Sequence, residues 1–306
     1  VKTFSVGTAP KQSGRLAVVT GANSGIGFFT ALDIARIGGQ VVLACRDVKK
    51  GMGATAAINK EVPGRRVVFE RLDLASLESV REFAGRMKER HGVLDILVNN
   101  AGVMALPKRQ VTLDGFEMQF GVNFLGHYAL TAHLLPVLTK SAAPRVVQLS
   151  SIAHRQGKLN FEDLQYVQGY KPWKVYNQSK LAMLMFALEL QRRSDAGGWG
   201  LTSLAAHPGI AKTELMANGP GERGAMGLAL KLFGKTITHS AAAGALPSLL
   251  AATSTQVEKA GYYGPVGFME FKGPPGIARI SPQALDVAAA ARLWDMAAAL
   301  TGAEWG

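Results

Sequence analysis

Short apolar runs rich in β-branched residues alternate along the chain with longer segments in which apolar positions recur at helical spacing. The runs are "LAVVT" (16–20), "VVLA" (41–44), "VVFERLD" (67–73), "LDILVN" (94–99), "RVVQLS" (145–150) and "LTSLAA" (201–206). Helical patterns lie near 26–37, 47–60, 76–90, 114–140 and 176–193. Strands separated in this way by helices imply parallel βαβ units, hence an α/β chain. In the first helix Thr30, Asp33 and Arg36 form a polar stripe, while Ile26, Phe29, Leu32 and Ile34 face or flank the core, as expected of a helix laid on a sheet. Beyond residue 207 the alternation loosens: 217–238 is glycine-rich, and "GPVGFMEFKGPPG" following Tyr263 reads as a loop. Ser281 followed by Pro282 is a helix start, opening the Ala-rich segment 283–300. Neither a repeat nor a linker breaks the pattern, so residues 1–306 read as one domain with an irregular late region.

Composition narrows the function. Apolar residues make up 48% and charged residues 18% of the 306, a globular balance. Lys and Arg exceed Asp and Glu, 34 to 22, for a formal charge of +12. The basic residues are dispersed and do not interleave with aromatic ones, which argues against nucleic acid and leaves a solvated surface that also steers a phosphorylated cofactor. Cys45 is the single cysteine, so neither an intrachain disulfide nor a thiolate metal cluster is available, and no HExxH or paired Cys/His suggests a metal. The apolar runs fall short of a transmembrane span and "VKTFSVGTAPKQSGR" has no signal-like stretch, so the expected setting is the cytoplasm.

"TGANSGIG" places Gly21, Gly25 and Gly27 between the first strand and the first helix, the context a phosphate cradle requires. Gly21 permits a tight turn, Gly25 lets backbone amides approach a pyrophosphate, and Gly27 allows close packing; the helix N-terminus adds free N–H donors and partial positive charge. The spacing is G-x3-G-x-G, and a plain glycine-rich turn is the alternative. At the end of the second strand, where an acid would hold the ribose hydroxyls of NAD, stands Arg46, whose planar fork suits a 2′-phosphate; otherwise it is an exposed arginine paired with Asp47, itself a candidate helix cap. Asp73 closes the third strand, placed either to accept from an adenine amine or to cap the helix starting "SLESV". Tyr176 and Lys180 stand four apart on a helical pattern, hence on one face, where an ammonium favours the phenolate of a neighbouring tyrosine.

Taken together, "TGANSGIG", "NNAG" (99–102), Asn123, Ser151, "YNQSK" (176–180) and "HPGIAKT" (207–213) resemble the short-chain dehydrogenase/reductase family over nearly the whole chain and in its motif order. The resemblance implies a doubly wound Rossmann fold, a central parallel sheet flanked by helices. It implies that Tyr176 is the general acid or base, that Ser151 stabilises the reacting oxygen, that Lys180 lowers the tyrosine pKa and holds the nicotinamide ribose, and that Asn123 supports a water leading protons to Lys180. Family spacing and strand alternation both favour Ser151 over Ser150. For the cofactor, NADP(H) in preference to NAD(H), the implied contacts are Gly21, Asn23, Ser24, Gly25, Ile26, Gly27, Arg46, Asp73, Leu74, Asn100, Ala101, Gly102, Tyr176, Lys180, Pro208, Gly209, Ile210 and Thr213.

"ACRD", "SSIAH" and the 24 residues between Ser151 and Tyr176 look most like the retinol-dehydrogenase-like branch. The extra segment "GKLNFEDLQYVQGYKPW" is expected to border the pocket, with an apolar lid near 214–238 that includes Leu215, Met216, Met226 and Phe233. Membrane-bound members carry an N-terminal anchor; none is expected here, and that expectation counts against a retinoid. The expected substrate is a bulky hydrophobic ketone, aldehyde or alcohol. His154 is read either as a pocket residue or as packed, and His207 as structural. Family members pair through the Asn and Tyr helices, and "MLMFALEL" (183–190) is apolar on more than one face, so a homodimer or homotetramer is the expected assembly. Two other readings are a nucleotide-sugar epimerase or dehydratase, which also uses Tyr-x3-Lys, and a non-catalytic NADP-sensing scaffold.

Overall fold

The computed structural model describes residues 3–64, 67–211 and 238–305. Thr213 and, apart from Thr238, the lid expected near 214–238 lie outside the described residues. Every expected strand forms: β1 (Leu16–Thr20), β2 (Gln40–Cys45), β3 (Val67–Arg71), β4 (Ile96–Asn99), β5 (Arg145–Leu149) and β6 (Thr202–Ala206). The helices between them are α1 (Gly25–Arg36), α2 (Val48–Glu61), α3 (Leu77–Arg90), α4 (Met118–Phe120), α5 (Gly126–Leu138) and α6 (Pro172–Gly197). A π-helical turn, Gly121–Leu125, joins α4 to α5. The chain continues through α7 (Ala241–Thr253), β7 (Tyr262–Pro265), β8 (Pro275–Ile277) and α8 (Val287–Thr301).

The strands form one sheet in the order β3-β2-β1-β4-β5-β6-β7-β8, parallel except for the β7–β8 pair. This is a doubly wound Rossmann fold, with its switch point between β1 and β4, and in such sheets ligands bind beyond the carboxyl ends of the strands at that point. Both faces are covered over β1, β2, β4, β5 and β6, which is why these strands read as apolar runs, while β3 at the edge is half exposed. Val18, Val42, Leu97 and Val146 turn toward a core shared with α3, α5 and α6. Their neighbours Ala17, Val19, Val41, Leu43 and Val98 turn to the opposite core, shared with α1 and α7.

Several expectations change. Of the stripe on α1 only Arg36 faces solvent: Thr30 and Asp33 are buried because α7 packs against α1, and Asp33 is held by an ion pair with Arg36 at 2.7 Å. The late region contains α7, β7 and β8, and the "GPVGFMEFKGPPG" segment supplies parts of both strands and the turn between them. β3 stops at Arg71, so Asp73 lies past its end; Ser76, not Asp73, caps α3, its Oγ accepting from Ser79 N at 3.1 Å. Asp47 does cap α2, its Oδ1 accepting from Lys50 N at 2.9 Å. Ser281 and Pro282 open only a 3-10 turn, and α8 is capped by Asp286.

On α6, Phe186 of the apolar segment that suggested a subunit interface is covered by the chain's own α8 and Trp305. Tyr128 and Phe186 pack against Trp294 and Trp305, with Phe124 behind them and with Trp294 and Tyr128 ring centres 5.1 Å apart and Trp294 and Trp305 4.3 Å apart.

Candidate active site

The residues gathered at the switch point start with β1. Thr20, its last residue, leads into Gly21, whose N–H donates to Ala44 O of β2 at 2.8 Å. Gly21 has φ 63°, and a Cβ there would lie 2.9 Å from Ala101 Cα. Gly25 has φ 57° and opens α1. A Cβ on Gly27 would come within 2.5 Å of Gly21 O, so this glycine packs the helix onto the turn that follows the strand. Ser24 is the N-cap of α1, yet its side chain makes no capping hydrogen bond, so among the described residues it leaves the first-turn N–H groups to a ligand. With Asn23, Ser24 and Ile26 half-buried around it, this cradle fits a pyrophosphate.

Arg46 is exposed just past β2, beside that turn, while the neighbouring Asp47 carboxylate is engaged in capping α2. Asp73 is half-buried, its Oδ1 accepting from Ala75 N at 3.0 Å, and Leu74 is buried with its backbone against Gly126. Asn100 and Ala101, directly beyond β4, both donate their N–H groups to Thr20 Oγ1 at 2.9 Å, and Asn100 Nδ2 donates to Thr20 O at 2.7 Å. Gly102 joins this nucleotide side to the chemistry: a Cβ on it would lie 3.1 Å from Asn123 Oδ1 and 3.5 Å from Lys180 Nζ.

Asn123 sits in the π-helical turn, where its side chain is fully committed. Its Oδ1 accepts from Val103 N at 2.8 Å, and its Nδ2 donates to Val103 O at 3.0 Å and to Ser179 Oγ at 2.9 Å. Ser151 follows β5 and caps a short 3-10 turn, its Oγ accepting from Ala153 N at 3.2 Å. Ser150 turns away and donates to Lys180 O at 2.7 Å, as strand alternation requires. Lys180 is buried, donates from Nζ to Leu149 O at 3.0 Å, and lies 5.8 Å from the centre of the Tyr176 ring.

Electrostatics here differ from expectation. Burial pushes the Tyr176 phenol up to about 12, and a hydrogen bond with the Ser151 hydroxyl draws it partly back. Burial also pulls Lys180 down to about 8. At neutral pH the tyrosine therefore carries its proton and the lysine its charge, the state suited to protonating an oxygen.

Pro208, Gly209 and Ile210 follow β6 and are half-buried. They are fastened to the turn before β8: Ile210 N donates to Phe271 O at 2.8 Å, and a Cβ on Gly209 would strike that same oxygen at 2.3 Å. His207 is structural as read, its Nδ1 accepting from Gly209 N at 3.2 Å and its Nε2 donating to Glu270 at 2.9 Å. His154 is buried and donates from Nδ1 to Ser151 O at 2.6 Å, so it backs the serine instead of lining a pocket. Of the extra segment, Trp173 borders the site, its half-exposed indole edge-on to Tyr176 at 5.9 Å. Sequence reasoning missed Thr20, His127, Ser179 and Glu270. Only the place of Thr20 and Ser179 inside recognised motifs signalled them. Among the described residues no cluster of His, Cys, Asp and Glu is placed to hold a metal ion, and no helix is long and apolar enough to cross a membrane.

A family model described as short chain dehydrogenase matches residues 15–223. Retinol dehydrogenase 13 of Mus musculus is 44% identical over 301 residues, which span 97% of this chain and 87% of that protein. Polyprenol dehydrogenase of Mus musculus is 48% identical over 210 residues, 67% of this chain and 62% of that protein. Among solved structures, an uncharacterised protein from Mycobacterium paratuberculosis superposes with a TM-score of 0.82 at 38% identity, with both chains covered completely.

Proposed function

The chain belongs to the short chain dehydrogenase family and is an oxidoreductase of that family, and from that premise we propose that it moves a hydride between NADP(H) and a bulky apolar carbonyl or alcohol. One observation carries the reading: Ser151, Tyr176 and Lys180 meet next to Gly102, at the switch point where the glycine cradle opens.

The cradle from Gly21 to Gly27 would take the pyrophosphate, Asn100 to Gly102 and Leu74 the adenosine side, Asp73 the adenine amine, Lys180 the nicotinamide ribose, and Pro208 to Ile210 with Thr213 the carboxamide end. Arg46 would pair with a 2′-phosphate, its exposed guanidinium standing beyond β2 while Asp47 is drawn into α2. When bound, the nicotinamide supplies or accepts the hydride. Tyr176 gives its proton to the carbonyl oxygen as the C=O electron pair moves onto that oxygen, Ser151 donates to the same oxygen, and Lys180 stabilises the phenolate left behind until a proton returns from solvent, a return in which the family resemblance would have Asn123 support a water. In the reverse direction the phenolate takes the alcohol proton.

For the substrate, the half-exposed Trp173 beside Tyr176 offers an apolar wall, and relatives named for retinol and polyprenol point to apolar alcohols of the same kind. A lid over 214–238 and cytoplasmic residence belong to this proposal on the sequence reading alone.

The test is loss of reduced-nicotinamide absorbance with NADPH and with NADH against a panel of apolar aldehydes and ketones. Tyr176→Phe should lower kcat by about 10²- to 10⁴-fold, the range of a positioned general acid, with cofactor affinity kept. Arg46→Ala should weaken NADPH binding while sparing NADH; preference for NADH in the native protein would defeat the NADP assignment.

A further inference from the structure

His127 is fully buried one helical turn beyond Asn123, in the first turn of α5. Its Nδ1 lies 2.9 Å from the main-chain oxygen of Asn123, and its Nε2 lies 2.9 Å from Thr20 Oγ1. A carbonyl oxygen can only accept, so Nδ1 carries the hydrogen and Nε2 is the acceptor. The Thr20 hydroxyl must then donate to Nε2, the nearer of its two acceptors, since Val98 O stands at 3.5 Å. With that hydrogen committed, the Thr20 oxygen faces the N–H groups of Asn100 and Ala101 with its lone pairs, and both donate to it at 2.9 Å. One arrangement of hydrogens satisfies every group in the chain of bonds.

The imidazole thereby links three motifs that the sequence treats separately: the strand end leading into the glycine cradle, the "NNAG" turn, and the Asn123 turn. The coupling is tight because Gly21 touches the Ala101 backbone, leaving no room for a Cβ. Turning the Thr20 hydroxyl would release the Asn100 and Ala101 amides and shift the wall against which Gly21 rests. Burial and the nearby Lys180 charge keep the ring neutral, its pKa pulled down to about 3, so the bond pattern does not change across the working pH range.

We propose that His127 is a positioning residue: its ring fixes the Thr20 hydroxyl beneath the Asn100–Ala101 turn and so holds the nucleotide cradle in its binding shape. The proposal rests on the nicotinamide-dependent reading above for its functional consequence, and on the hydrogen-bond geometry alone for the strut itself.

The two halves of the ring can be separated. His127→Gln places a carboxamide oxygen near the Nε2 position, where it accepts from Thr20; His127→Asn keeps only a donor near Nδ1, toward the Asn123 carbonyl; His127→Leu removes both. Two readouts on the full chain are needed: hydrogen exchange at the Asn100 and Ala101 amides without cofactor, and NADPH and NADH affinity by nicotinamide fluorescence. Asn and Leu variants should exchange these amides faster and bind dinucleotide about tenfold more weakly, with Gln restoring both, as expected when one buried hydrogen bond is lost or kept. In turnover the loss should appear in KM for the cofactor more than in kcat. Should the Leu variant not fold, the Gln and Asn pair still decides. Equal exchange and equal affinity across the native protein, Gln and Asn would overturn the proposal. A native protein that binds neither dinucleotide would sink the nicotinamide reading and the cradle consequence together, and faster exchange in the Asn variant alone would then leave the strut standing as a structural fact.

Discussion

Lys180 decides how the site responds to pH. Its ammonium is lowered from the ordinary 10.5 to about 8 by burial, so it is charged at pH 7 and neutral once the pH rises past that value. Charge on this lysine favours the phenolate that forms as Tyr176 gives up its proton, and that help is lost on the alkaline side. Carbonyl reduction should therefore fall above about pH 8, and Lys180→Arg, whose guanidinium stays charged, should retain its residual rate through that range. A pH profile of kcat/KM for both proteins checks this, and an unchanged alkaline limb in the arginine variant would assign the limb to another group. Tyr176 was legible in the sequence as a residue but not as an acid of raised pKa: the motif gives the one-turn spacing to Lys180, whereas burial of the phenol comes from the packed neighbourhood of α6. His127 was equally hidden, because a histidine within an apolar helix carries no local sign of what its two nitrogens meet.

At the scale of elements, the first turn of α1 is tightly constrained. Gly27 has ordinary helical geometry, so its need for glycine is steric: an added methyl would press on Gly21 O and on Asn100 Nδ2. Gly27→Ala should cost on the order of 1–3 kcal/mol by overpacking and weaken dinucleotide binding in parallel, measured by thermal melting and by titration. Strands β1, β2, β4, β5 and β6 could be read from sequence because both faces of a parallel sheet are buried there, which leaves apolar runs, whereas the half-exposed edge strand β3 was marked by its Val-Val-Phe start. α7 could not. "AAAGALPSLLAAT" has no polar stripe, since it lies against α1, and it contains Pro247. β7 and β8 were lost for a different reason: they are short and built from Tyr, Gly and Pro, residues that otherwise signal turns. The same burial under α7 misled the reading of Thr30 and Asp33.

The whole molecule carries its own cover for the α5–α6 face. Trp294 is nearly buried against Tyr128 and Phe186, with the Arg193 guanidinium 4.5 Å from its ring centre on the other side. Trp294→Ala should destabilise by about 3–5 kcal/mol, the range for emptying an aromatic site in a core, read from chemical denaturation. Removing residues 286–306 should expose the face and drive further self-association, seen by light scattering as a rise in mass above the native assembly; a truncated protein that keeps the native state of assembly would mean that the face needs no cover. The reach of this contact also sets an order of events during synthesis. The Tyr128 hydroxyl donates to Trp294 O across 166 residues of chain, so the ribosome has made the entire catalytic half before the helix that closes its aromatic flank exists. Until then the nascent protein presents a sticky surface to chaperones and to its own copies, and a messenger cut short at the codon for Ala290 would yield a chain with every catalytic residue in place and an open flank to aggregate through.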